Sequence, residues 1–131
     1  MFRGKYTGTH SQFYMISDTH RVDSFVKAIR KKVHVGDTVV DLGAGTGILG
    51  IECAKAGADT VHLVEQEPKL ISVIEQMIKE HNVEDQCIIH NKRSDQFLND
   101  YSGPADLVVC EGIGDHIFES RLIKDFLQFK V

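Results

Sequence analysis

The stretch VVDLGAGTGILGIECAKAG, residues 39–57, constrains the fold more than any other part of this chain. A short apolar run stops at Gly43, glycines alternate at 43, 45 and 47, a fourth follows at 50, and helical spacing resumes from Ile48. A run that short, ended by glycine, reads as a buried strand and not as a helix. Three more runs repeat the pattern: TVHLVE (60–65), QCIIHN (86–91) and ADLVVCE (105–111). Between the second and third runs, Pro68 opens a helix whose Leu70, Ile71, Ile74, Met77 and Ile78 form one apolar stripe. Upstream, residues 19–32 carry Val22, Phe25, Val26 and Ile29 at helical spacing; downstream, residues 115–130 carry Ile117, Phe118, Leu122, Ile123 and Phe126. Strand–helix alternation predicts an α/β fold: a doubly wound, mainly parallel, Rossmann-like sheet of four strands, covered on both faces by right-handed crossovers. Ligands in such sheets bind at the carboxyl ends of the strands, beside the topological switch point. With 131 residues the chain is expected to be a single domain, a helical segment over 1–34 leading into an α/β core over 35–131.

Composition removes several function classes. A net charge of −4 gives no global footprint for nucleic acid or an anionic membrane. The cluster Lys27, Arg30, Lys31 and Lys32 reads as a solvated helix face. The basic start, MFRGKY, has no apolar segment behind it, so no signal peptide is expected, and no apolar run reaches the length of a membrane span. Cys53, Cys87 and Cys110 are odd in number and far apart, which argues against a disulfide framework and against a metal site. A reducing, cytoplasmic setting is the expectation.

The glycine loop admits two cofactors. Counted from Gly45 it is a literal G-x-G-x-x-G, the pattern of a pyrophosphate cradle at a helix N-terminus. Counted from Gly43 it is G-x-G-x-G with Asp41 two residues upstream. A fixed carboxylate there would oppose a pyrophosphate but suits a cofactor that carries an ammonium and a sulfonium, which describes S-adenosylmethionine. Glu65 ends the second strand 22 residues after Gly43, where a carboxylate can accept both ribose hydroxyls of either cofactor. In NKRSDQF (91–97), Ser94 or Asp95 stands where an adenine amino group would be read, although a solvated turn explains that segment equally well.

At these residues the chain resembles the class I S-adenosylmethionine-dependent methyltransferases, and most closely the cofactor-binding domain of the protein arginine methyltransferases. MISDTHR (15–21) is similar to that family's first-helix pattern M-x-x-D-x-x-R. The resemblance implies that Arg21 pairs with the cofactor carboxylate and that Asp18 lies on the substrate side. Tyr6 stands loosely where the family has an aromatic that closes over the site. VVCEGIGDHIFES (108–120) is similar to the family's double-glutamate hairpin, which carries over to Glu111 and Glu119. Two carboxylates can hold a planar guanidinium fork by paired, charge-assisted hydrogen bonds. Fixing one terminal nitrogen in line with the methyl group then supplies rate by orientation. The implied function is methyl transfer to a nitrogen acceptor, a protein arginine guanidinium.

Other readings stay open: an RNA or small-molecule methyltransferase, a dehydrogenase, or a cofactor-binding half-domain inactive on its own. The chain is also similar to small archaeal and bacterial proteins described as predicted RNA methylases. A methylase of flipped bases needs a D/N-P-P-Y/F stretch after the fourth strand, where this chain has Cys110, Glu111, Gly112 and Ile113. Cys110 could serve as the nucleophile of a pyrimidine C5 methylase, but a cysteine in a buried strand is more often small core. The resembled family continues into further strands and a β-barrel, so this core reads as shortened after its fourth strand. That strand would be left as an edge, inviting a homodimer, a missing C-terminal half, or a lid made by the last helix.

Overall fold

The computed structural model describes the backbone of residues 2–5, 12–16 and 22–111, and the side chains of 23–110. In chain order the elements are β1 (Phe2–Lys5), β2 (Gln12–Ile16), α1 (Val22–Lys32), β3 (Thr38–Leu42), α2 (Ile48–Lys55), β4 (Thr60–Val64), α3 (Pro68–Glu80), β5 (Cys87–His90), α4 (Ser94–Asp100) and β6 (Leu107–Glu111). The described strands form one sheet in the order β1-β2-β6-β3-β4-β5. β5, β4, β3, β6 and β2 run parallel, and β1 pairs with β2 antiparallel.

The helices form where the apolar stripes lie. α3 starts with Pro68 at its first position, where a missing N–H costs nothing, and Glu67 caps it by accepting the Lys69 N–H at 3.3 Å. α1 buries Phe25 and Ile29 and ends in Arg30, Lys31 and Lys32, cations that favour the negative end of the helix dipole. Arg30 also reaches Glu52 on α2 at 3.2 Å, so part of the basic cluster joins two helices instead of only facing water.

Two cores sandwich the sheet. On one face Phe25, Ile29, Leu49, Ile51, Ile74 and Ile78 of α1–α3 pack on Val39, Val61, Leu63, Leu107 and Val109. On the other, Phe97 and Leu98 of α4 pack on Val40, Leu42, Val64, Val108 and Cys110. α2 and α3 carry the chain outward from β3 to β5, and α4 brings it back across the opposite face to β6. The direction reverses between β3 and β6, so the switch point lies at the glycine-bearing end of β3.

Three expectations need correcting. β6 is not an edge: β2 pairs with it in parallel over its full length, from Gln12 opposite Leu107 to Ile16 opposite Glu111. The stretch 1–34 is not helical throughout, because QFYMI is a short run of β-formers and only α1 carries helical spacing. Residues 94–100 are a helix and not a turn: Phe97 and Leu98 are buried beneath it, a two-residue apolar signal too short to read as a period. The helix expected over 115–130 lies outside the described residues.

Candidate functional site

The loop after β3 is fixed by its own amides. Gly43 and Ala44 both donate to the Val64 carbonyl at 2.9 Å, which seats the turn on the end of β4. Gly43, Gly45 and Gly47 all adopt positive φ (71°, 62° and 86°), a conformation that costs a residue with a Cβ. Gly50 is different. It lies within α2, where an added Cβ would sit 2.3 Å from Leu63 Cδ2, so it is there to let helix and sheet approach. The backbone therefore uses Gly43, Gly45 and Gly47 for the turn and Gly50 for packing. This geometry would serve either cofactor.

Asp41 is 1% exposed, and its Oδ2 accepts the Gly50 N–H at 3.1 Å. α2 begins at Gly47 with no side-chain cap of its own, so this carboxylate from the neighbouring strand satisfies one of its first amides. A negative charge is thereby fixed beneath the loop. It adds to the burial that pushes the Cys53, Cys87 and Cys110 thiols up, Cys87 to about 11. A thiol so raised is a poor nucleophile, and Cys110 is fully buried in β6, which argues against the C5-methylase reading.

Glu65, at the end of β4, is 8% exposed and holds two amides at once. Oε1 accepts from Gly45 at 2.8 Å and Oε2 from Glu67 at 2.9 Å. Each carboxylate oxygen can accept twice, so both keep capacity for a further donor. Asn91 holds the same turn from the far side: its amide donates to the carbonyls of Glu65 at 3.0 Å and Gln66 at 3.1 Å. Its signal in the sequence was an asparagine ending a strand, a residue type that habitually bonds nearby backbone.

Ser94 is the first residue of α4 and Asp95 lies in its first turn. Both follow the carboxyl end of β5, next to β4, as Val64 pairs with His90. Asp95 is held by Arg93 through two bonds of 3.0 and 2.6 Å, and it accepts the Gln96 amide. Glu111 is the last residue of β6; Cys110 pairs with Leu42, so its backbone stands one step beyond, level with the glycine loop. Tyr6, Asp18, Arg21 and Glu119, and the Glu111 side chain, lie outside the described residues. Among the described residues no three His, Cys, Asp or Glu cluster as a metal site, and no helix is long and apolar enough to cross a membrane.

A third group was not foreseen. His90 Nε2 lies 3.0 Å from His62 Nδ1, and His62 Nε2 lies 3.3 Å from the Tyr101 hydroxyl, which donates to the Pro104 carbonyl at 2.8 Å. These rings pack with Phe97 between β4, β5 and α4, Phe97 stacked on Tyr101 and edge-on to His90. Burial, then the neighbouring His90, brings His62 down to about 4.

A mainly parallel sheet whose central strand opens into a glycine turn, with an acid from the next strand bonded to that turn, defines the doubly wound, Rossmann-like class of α/β proteins. Residues 17–129 match the family model described as ribosomal protein L11 methyltransferase (PrmA), and the chain belongs to that family. It is 33% identical over 101 residues to an arginine N(omega)-methyltransferase of Streptomyces achromogenes subsp. streptozoticus, covering 76% of this chain and 28% of that one. It is 30% identical over 111 residues to a ribosomal protein L11 methyltransferase of Bacillus cereus, covering 85% and 32%. Among solved structures it superimposes on Arabidopsis thaliana protein arginine methyltransferase 10 with a TM-score of 0.63 at 30% identity, over 75% of this chain and 28% of that one. The chain thus spans less than a third of the length of these relatives.

Proposed function

We propose that this chain binds S-adenosylmethionine across the carboxyl ends of β3, β4 and β5, and that the methyl group passes to a nitrogen acceptor, a protein arginine guanidinium. The observation that carries the nucleoside part of the reading is the Glu65 carboxylate, tied to the glycine loop through Gly45 and still able to accept two ribose hydroxyls, and the methyltransferase family match favours S-adenosylmethionine over a dinucleotide. When bound, the cofactor supplies an electrophilic methyl on a sulfonium. Asp41 shapes the loop through Gly50 and lends the site a negative field suited to that cation. Gly43, Gly45 and Gly47 let the ligand reach the backbone, while Ser94 and Asp95 border the adenine side. Arg21 pairs with the cofactor carboxylate, Asp18 borders the substrate, and Glu111 and Glu119 hold the guanidinium fork, as the family resemblance implies. The relative named as an arginine N(omega)-methyltransferase supports a guanidinium acceptor. The matching family model favours a second one, a ribosomal protein. Three free thiols fit a reducing, cytoplasmic setting.

Calorimetry with S-adenosylhomocysteine tests the cofactor. Glu65→Ala should lose about 1.5–3 kcal/mol, as for hydrogen bonds to a charged group. Unchanged affinity, or tighter binding of NADH, would overturn the assignment. Labelled methyl transfer to an arginine-rich peptide, to ribosomal protein L11 and to RNA separates the acceptors. Glu111→Gln should then cut turnover far more than cofactor affinity.

A further inference from the structure

We infer that Asn91 is a positioning residue for the cofactor's ribose and that it acts through Glu65. The inference rests on the proposed role of Glu65 in ribose binding. β4 and β5 pair in parallel as far as Val64 and His90, and the ladder extends one bond further, from the Glu65 N–H to the His90 carbonyl at 3.0 Å. There β5 ends. The Asn91 side chain takes over where the backbone ladder stops, and its amide donates to two successive carbonyls, Glu65 at 3.0 Å and Gln66 at 3.1 Å.

The turn carrying the acid is thus gripped on two sides. Asn91 fixes its carbonyls, and the Glu65 carboxylate bonds the Gly45 and Glu67 amides on the other. A carboxylate aimed at two adjacent hydroxyls must be set in both position and rotation, because a small displacement converts a paired acceptor into a single one. Without Asn91 the turn keeps one backbone bond to β5 and can pivot, carrying the carboxylate with it. Asn91 is itself exposed, outside both cores, so its removal leaves no cavity. A role in packing would not account for two bonds directed at this one turn.

The test measures binding of S-adenosylhomocysteine and of its 2′-deoxy analogue to the full chain, for wild type, Asn91→Ala, Asn91→Asp, Glu65→Gln and the Asn91→Ala/Glu65→Gln double variant. Asn91→Ala should weaken S-adenosylhomocysteine about three- to tenfold, and Asn91→Asp more, because a carboxylate would face two carbonyls. The preference for the ribose ligand over its deoxy analogue should shrink. In the Glu65→Gln background, removing Asn91 should change affinity less than about twofold, the mark of two residues acting as a unit. Equal weakening of both ligands, or an equal loss in both backgrounds, would overturn the inference and leave Asn91 a merely structural tie. Normal affinity in Asn91→Ala beside a clear loss in Glu65→Gln would overturn it while sparing the ribose reading. Normal affinity in Glu65→Gln would remove both.

Discussion

Gly50 donates its amide to Asp41 Oδ2 at 3.1 Å, joining the first turn of α2 to the middle of the sheet. The bond exists because neither partner has anything between them. Gly50 lacks a side chain, and Asp41 follows Val40 on a strand buried on both faces. One contact therefore closes the packing of helix on sheet, caps the helix and holds a charge beneath the glycine loop.

Gly50→Ala should destabilise the protein by about 1–3 kcal/mol, the usual cost of overpacking a core. The helix would gain up to about 1 kcal/mol in propensity, but the new methyl would sit 2.3 Å from Leu63 Cδ2 and 3.0 Å from Asp41 Oδ2. Leu63 is fully buried in the core, so moving its Cδ2 aside means repacking its neighbours, and the clash wins. Gly45→Ala is the contrast: nothing lies within 4 Å, and only the positive φ is strained. Urea denaturation should show the first variant losing more stability, and calorimetry should show the second losing more cofactor affinity. The reverse ranking would contradict this division of labour among the glycines.

The thiols should be quiet. Burial, reinforced by Asp41, holds Cys53 and Cys110 well above their ordinary range and lifts Cys87 to about 11. Iodoacetamide at pH 8 should leave Cys53 and Cys110 unlabelled in the folded protein and modify half-buried Cys87 slowly, as mass spectrometry would read. Cys110→Ala should retain transfer activity; a loss beyond tenfold with folding intact would revive a nucleophilic role.

Stability should fall in mild acid. His62 titrates near 4 when folded and near 6.5 when unfolded, so between those values the unfolded chain binds the extra proton. Stability is then full above about pH 6.5 and declines as pH falls toward 4. His90, lowered by burial and by Lys92, adds in the same direction. His62 is buried but its partner His90 is only half-buried, so the drop should be on the order of 1–2 kcal/mol and not the full value of the shift. Thermal melts from pH 7 to 5, above most carboxylate titration, should show the decline, and His62→Gln should flatten most of it. A wild-type melting point constant over that range would mean the His62–His90–Tyr101 chain is not held neutral.

What the sequence made legible divides along physical lines. Strands β3, β4 and β6 and helices α1 to α3 could be read because each buries an apolar run or a helical stripe; β5, with Ile88 exposed, could be read from its short apolar run alone. Asp41, Gly43 and Glu65 could be placed because their positions at strand ends follow from those runs. α4 was missed because two buried residues make no period. Asn91 and the His62–His90–Tyr101 chain were missed for another reason. Their partners are 25 to 39 residues away in the chain, and no local pattern encodes a bond across strands. β2 was missed because its apolar run stands isolated near the start of the chain, and only its pairing with β6 gives it a place.

That pairing carries the last prediction. Leu107, Val108, Val109 and Cys110 of β6 are at most 2% exposed, so the strand is apolar on both faces. Its backbone is paired by β3 on one side and β2 on the other. Removing β2 would leave a row of unpaired donors and acceptors along a flat apolar strand, the condition that recruits another chain. A chain beginning at residue 17 should therefore self-associate at micromolar concentration, while the full chain shows less association under the same conditions. Tyr14→Pro should move the full chain the same way, because proline removes an amide in the middle of β2. Light scattering reads both variants. If the shortened chain and Tyr14→Pro both keep the mass and melting point of the full chain, β2 contributes nothing to guarding that edge.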